Sequence, residues 1–198
     1  MGAAIDEFHT PRLRGVRFRP EHLPELCELD EDPVIQSTLF GTVFTQNESQ
    51  ARLQRRIEHW DTHGFGDYVV YLKDGTFIGT CAIFTARMDI DDGPQDTVAI
   101  GYVLKPEFWN QGYATEMSRA ALRIAFEDLE LPCVYAAALP ENAASRRVME
   151  KCGMTYVREF LYQGRWLDVL YAIDRERWLL MGATQQRPAL ANDDGGAR

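Results

Sequence analysis

Residues Thr97 to Glu116 read TVAIGYVLKPEFWNQGYATE, and the order of residue types in this stretch sets the fold. Thr97 to Leu104 is rich in β-branched and aromatic residues, as a buried strand is. Lys105-Pro106 ends it, because proline gives no ladder donor and pushes the residue before it out of helical geometry. Gln111-Gly112 then leads into a helix from about Tyr113 to Leu129, with Ala114, Met117, Ala121, Ile124 and Ala125 on one face. A strand passing through a glycine turn into a helix gathers unpaired N–H groups and the positive end of the helix dipole, which attract a phosphate. Gly112 and Ala114 leave room for a pyrophosphate to approach the backbone. Taken alone, the pattern also fits a glycine before an ordinary helix. Neither GxxxxGKS/T nor GxGxxG occurs, so neither nucleoside-triphosphate nor dinucleotide binding is indicated.

Upstream, Leu13 to Arg19 alternates as a half-buried strand, and Pro20 opens a helical stretch through Leu29. Glu48 to His63 reads as an amphipathic helix stopped by Gly64 and Gly66. Tyr68 to Lys73 and Phe77 to Thr85 form a hairpin about Asp74-Gly75, and Asp89 to Asp96 reads as a polar loop. Downstream come a strand at Val134 to Leu139, a helix from about Ala143 to Cys152 closed by Gly153, and strands at Thr155 to Tyr162 and Trp166 to Ile173 around Gln163-Gly164-Arg165. A last helical piece runs to about Met181. The pattern predicts one domain over 1–182 and a flexible polar tail over 183–198.

Behind the glycine turn lies a second segment, Pro140-Glu141-Asn142-Ala143-Ala144-Ser145 followed by Arg146 to Met154. Together, IGYVLKPEFWNQGYATE and NAASRRVMEKCGM resemble the two cofactor motifs of the GNAT acetyltransferases, closest to the RimJ/RimL-like branch that acetylates ribosomal-protein N-termini and small amines. The likeness covers roughly Tyr68 to Trp178. It implies an α/β (α+β) fold with a mixed, mostly antiparallel sheet and helices on both faces, and acetyl-CoA as acyl donor. It further implies that the backbone of Tyr102, Val103 and Leu104 pairs with the pantetheine arm. Gln111, Gly112, Tyr113, Ala114 and Thr115 would hold the pyrophosphate and Asn142 the pantetheine amide. Ser145 would lie near the thioester sulfur, and Arg146 or Lys151 would meet the adenosine phosphate. Asn142 also reads as a plain helix N-cap and Ser145 as solvent-facing.

Three positions depart from the family pattern. Trp109 stands where an Arg or Gln usually opens the glycine turn, leaving one phosphate contact open. Met149 stands where many relatives carry a tyrosine that protonates the thiolate, so Ser145 is the catalytic candidate on that helix. Ala99 stands where relatives often carry a glutamate base. Asp96, Glu107 and Glu116 remain as candidate bases, ahead of His59 and His63, with Glu116 also suited to the helix dipole. Without a dedicated base, an α-amine is the better acceptor. Deprotonating one of pKa ~7.7–8.0 at pH 7 costs about 1 kcal/mol, against about 4–5 for a lysine-like amine of pKa ~10.4.

Composition narrows the partners. A net charge of -9 over 198 residues argues against a nucleic-acid binder and favours a cationic acceptor. Cys27, Cys81, Cys133 and Cys152 show no CxxC pair, so neither a metal site nor a redox pair is expected. No apolar run approaches the ~18 residues of a membrane span, so a cytoplasmic protein without a membrane partner is expected. The acceptor pocket has Phe40, Phe44, Trp60, Phe65 and Trp166 as aromatic candidates, although an aromatic at helical or strand spacing is more often core. A homodimer is left open. The reading from another functional class is an acyl-CoA-binding sensor or interaction module with weak or no catalysis, motivated by Ala99 and Met149; a nucleotide-binding regulator ranks below it for lack of a phosphate lysine.

Overall fold

The structure, a computed structural model, describes residues 5–39, 41–90, 93–162 and 166–185. It is a mixed sheet in the order β1-β2-β3-β4-β5-β6-β8-β7, antiparallel throughout except where β5 meets β6. The strands are β1 (Glu7–His9), β2 (Leu13–Arg17), β3 (Asp67–Leu72), β4 (Phe77–Ile90), β5 (Gly93–Leu104), β6 (Cys133–Ala138), β7 (Thr155–Tyr162) and β8 (Trp166–Asp174). The helices are α1 (Leu23–Asp30), α2 (Pro33–Ser37), α3 (Gln46–His63), α4 (Tyr113–Arg123), α5 (Ala143–Lys151) and α6 (Arg175–Gln185).

Period-2 alternation divides each strand between two cores. On one face Tyr68, Val70, Cys81, Ile83 and Ile100 pack with Met117, Ala121 and Met149, so α4 and α5 cover that side. On the other, Val69 packs with Phe18, Leu26 and Leu53 of the α1 and α3 region. A third cluster, Met88, Ile90, Ala99, Phe160 and Leu170, covers that second face further along the sheet. Thr45 and Glu48 form a capping box that starts α3, and Gly64 ends it at φ +75°, where a side chain would be strained.

Asp89 to Asp96 is not a loop. β4 and β5 stay paired from Gly79↔Leu104 to Ile90↔Gly93, because Met88 and Ile90 bury their side chains in the third cluster and outweigh the turn propensity of their neighbours. The tip, Asp91-Asp92, lies outside the described residues. Helix α4 is also shorter than its periodicity suggests: Ile124–Asp128 widens into a π-helical turn that still buries Ile124, Ala125 and Phe126. Strand β1 and helix α2 are too short for periodicity to reveal. Helix α6 runs through residues 183–185, while the rest of the anticipated tail, 186–198, and the Gln163-Gly164-Arg165 turn fall outside the described residues. Among the described residues, no helix is long and apolar enough to cross a membrane.

Candidate active site

Strands β5 and β6 run parallel, yet their register holds only one pair, Ala99↔Tyr135. Beyond it β5 continues to Leu104 and β6 to Ala138, so the sheet opens into a gap at their C-terminal ends. The start of α4 stands after one edge of the gap and the start of α5 after the other. A break of this kind exposes strand backbone that an ordinary sheet interior would pair.

The ladder register decides which groups face the gap. Lys105 N–H donates to Ile78 O across 3.0 Å, and antiparallel residues alternate in the side to which their polar groups point. Val103 therefore turns its amide toward Thr80 in β4, while Tyr102 and Leu104 present theirs to the gap. Leu104 O is already met by the Trp109 indole at 2.8 Å. Trp109 thus closes the loop after β5 instead of supplying a phosphate contact. Gln111 donates its side-chain amide to Glu107 O at 2.7 Å, leaving its backbone N–H for the turn.

Gly112 caps α4 at φ +82° with no side-chain acceptor. The first helical bond there is Glu116 N–H to Gly112 O, 3.1 Å, so the amides of Tyr113, Ala114 and Thr115 have no helical partner. Only Arg12 Nη2, at 3.5 Å, is near the position a Cβ on Gly112 would take. The glycine leaves the turn open, as its sequence suggests.

On the α5 side, Asn142 Oδ1 accepts the Ser145 N–H at 3.0 Å and caps the helix. The cap reading of Asn142 is realised, and its Nδ2 stays available. Tyr102 Oη donates to Ser145 Oγ at 3.2 Å, joining two sequence candidates through a side chain whose part the sequence did not reveal. Burial pushes the Tyr102 phenol up to about 12, so it keeps its proton at neutral pH. Arg146 spends Nε on Tyr171 Oη and Nη1 on Pro140 O, at 3.3 and 3.2 Å. Lys151 is exposed. Met149 is buried in the core, and burial pushes the Cys152 thiol up to about 11, which removes it as a nucleophile.

The candidate bases are scattered. Asp96 is exposed and paired with Arg87 at 3.5 Å; six residues before Tyr102, it stands about 20 Å away along β5. Glu107 is exposed at the loop, held below the usual carboxylate range by its own backbone amide and by Lys105 at 3.2 Å. Burial pushes the Glu116 carboxyl up, but hydrogen bonds from Thr10 and Arg12 outweigh it and hold the group low. Burial lowers His59, and its two ring nitrogens are occupied by Phe65 O at 2.9 Å and Thr85 N–H at 3.1 Å. His63 stacks against that ring, centroids 4.4 Å apart. Of the aromatic candidates, Trp60 and Phe65 are core residues and Phe44 lies under Arg52. Phe40 and the side chain of Trp166 lie outside the described part of the structure.

One carboxylate escaped the sequence reading. Asp168 lies directly opposite the buried Phe160 and shares a face with Leu170, so it projects onto an apolar sheet surface. It sits one residue beyond Val169, the partner of Ala138 where β6 ends, and hence at the mouth of the gap. Burial, reinforced by the charge of Glu141, pushes its carboxyl up to about 6. The signal was present as an acid inside the apolar run WLDVLYAI, in phase with its inward residues. Asp168 and the Tyr102–Ser145 pair approach the gap from opposite faces of the sheet, since Tyr102 packs with the α4 and α5 core.

The sequence and the fold both match known proteins. Residues 12–155 match the acetyltransferase (GNAT) domain. The FsC-acetyl coenzyme A-N(2)-transacetylase of Aspergillus fumigatus is 33% identical over 203 residues, spanning 92% of this chain and 80% of the relative. Among solved structures, a GNAT-family acetyltransferase from Bacillus anthracis superposes with a TM-score of 0.71 at 25% identity, covering 86% of this chain and 99% of that one. The spermidine N-acetyltransferase of Vibrio cholerae, solved with CoA and spermine, shares the fold with a TM-score of 0.69 at 20% identity, covering 86% and 99%.

Proposed function

Because the chain belongs to the GNAT acetyltransferase family, we propose that it moves an acetyl group from acetyl-CoA to a primary amine by direct attack in a ternary complex. The observation that carries this reading is the gap between β5 and β6, held by the single pair Ala99↔Tyr135, with unpaired strand amides on one edge and a helix start after each. In this reading the pantetheine arm adds to β5 at Tyr102 and Leu104. The pyrophosphate meets the amides from Gln111 to Thr115, and Asn142 Nδ2 meets a pantetheine carbonyl. Arg146 and Lys151 are the candidates for the adenosine phosphate.

The amine enters from the Asp168 face, and its nitrogen forms the new bond to the thioester carbon. Asp168 takes the proton that the nitrogen loses. Leu104 N–H, nearer the phosphate turn, pairs with the pantetheine arm, while Tyr102 N–H, beside Ser145, steadies the oxyanion, and collapse breaks the C–S bond. Ser145, polarised by Tyr102, hydrogen-bonds the departing thiolate on the other face. Among carboxylates, Asp168 is preferred over Asp96 and Glu107 because it is unpaired by any cation among the described residues and its affinity for a proton is raised. The acceptor is drawn as an amine because the Aspergillus fumigatus relative is named for transfer to N(2) and the Vibrio cholerae protein for spermidine. A RimJ/RimL-like peptide N-terminus fits the same chemistry.

A second reading, an acyl-CoA-binding module, draws on Ala99 and Met149, both buried and without proton chemistry. The deciding experiment is thiol release from acetyl-CoA over a panel of small amines, polyamines and peptides with free N-termini. Turnover with an amine supports the enzyme. Tight CoA binding without thiol release from the whole panel supports the module.

A further inference from the structure

Arg12 belongs to the turn between β1 and β2, far in sequence from the cofactor motifs, yet its guanidinium reaches the glycine turn. Nε meets Glu116 Oε2 at 2.6 Å, and Nη1 donates to Gln111 O at 3.0 Å. The guanidinium carbon lies 4.2 Å from the centre of the Tyr113 ring. Its backbone N–H donates to Glu116 Oε1 at 3.0 Å, beside the Thr10 hydroxyl at 2.6 Å. Glu116 therefore holds the segment from Thr10 to Arg12 against the first turn of α4. Nη2 has no hydrogen-bond partner among the described residues and stands 3.5 Å from the Cβ position of Gly112. The side chain is 44% exposed, so this donor is open to a ligand at the turn.

From this geometry we infer that Arg12 supplies the cationic contact to the pyrophosphate of CoA, in place of the Arg or Gln for which this chain carries Trp109. This rests on the acetyl-CoA reading and adds a residue to it. Trp109 is committed to Leu104 O, and Lys105 to Glu28 and Glu107 at 2.6 and 3.2 Å. In a chain of net charge -9, a dianionic pyrophosphate beside Glu116 would meet repulsion unless a cation stood between them. Arg12 does both tasks: two of its nitrogens fix it to the turn, and the third donates outward. A guanidinium suits this because its donors are fixed in one plane, so holding two of them aims the third.

The test is calorimetry of CoA binding at two salt concentrations, with thermal unfolding as the folding control, on the full chain and three variants. Arg12→Gln should weaken CoA binding about tenfold or more, the loss of a charge-assisted hydrogen bond to phosphate, and flatten its salt dependence. Arg12→Lys should recover part of the affinity. The double variant Arg12→Gln with Glu116→Gln should stay weak. Wild-type affinity in folded Arg12→Gln overturns the inference. Recovery of affinity in the double variant also overturns it, because Arg12 would then serve only to neutralise Glu116. If the wild-type chain itself fails to bind CoA, the acetyl-CoA reading falls first and takes this one with it.

Discussion

Tyr102 Oη lies 3.2 Å from Ser145 Oγ and joins the free edge of β5 to the first turn of α5 across the sheet gap. The phenol is held protonated by burial, so it donates to the serine and leaves the serine proton free to point elsewhere. Ser145→Ala should reduce kcat by about 100-fold, the size expected on losing one hydrogen-bond donor to charge that develops in the transition state, and leave the Michaelis constant for acetyl-CoA nearly unchanged. Tyr102→Phe should cause a smaller loss in the same direction. A rise in the Michaelis constant at constant kcat would make Ser145 a binding residue.

Asp168 makes a prediction with opposite signs for activity and stability. Its carboxyl is pushed up to about 6, so the folded protein binds this proton more tightly than the unfolded chain does. The stability it contributes is full below the unfolded carboxylate pKa and is lost as pH rises through about 6. Asp168→Asn removes the ionised form and should stabilise the protein at pH 7.5 by about 1 kcal/mol, after allowing for solvent screening at a half-exposed group. The same variant should lose most of its turnover and the limb of the pH profile near pH 6. Parallel profiles for Asp96→Asn and Glu107→Gln identify which carboxylate owns that limb.

Acceptor preference follows from the same number. Passing a proton from an α-amine of pKa ~8 to a carboxylate near 6 is uphill by about 3 kcal/mol, against about 6 for a lysine ε-amine. Matched peptides differing only in which amine is free should be acetylated faster at the α position, with rates still climbing above pH 7. Preference for the ε-amine, with a plateau below pH 7, would sink this expectation.

Gly112→Val should abolish measurable CoA binding, since the side chain would stand over the turn where the phosphate approaches. The left-handed backbone at this residue, φ +82°, adds strain of roughly 1–2 kcal/mol. Thermal unfolding must therefore accompany the calorimetry. A folded variant with unchanged affinity would reject the phosphate turn.

Local chemistry was legible in the sequence where one segment decides it. The hairpin at Asp74-Gly75, the glycine turn and the helices that follow Gly112 and Asn142 are legible from turn residues and periodicity. Pairings between distant segments were not. Nothing in the sequence brings Arg12 to Glu116, 104 positions away, or Tyr102 to Ser145, 43 away. The Asp89 to Asp96 reading failed because polar, turn-forming residues there are outvoted by Met88 and Ile90, whose burial depends on β7 and β8. Asp168 was legible in phase but was hidden by the strand around it.

The single rung at Ala99↔Tyr135 also divides the sheet mechanically. β1 to β5 form one continuous ladder and β6 to β8 another, joined beyond that pair by side-chain packing, with Met88, Ile90 and Ala99 against Phe160 and Leu170 on one face and the helices laid across the other. Their opening free energies need not be equal, and amide exchange should show the C-terminal trio loosening as its own unit. A pantetheine arm bound in the gap, as proposed, would be a missing rung as well as a substrate: occupancy would weld two foldons into one, and exchange in β6 and β8 should slow together with that in β5.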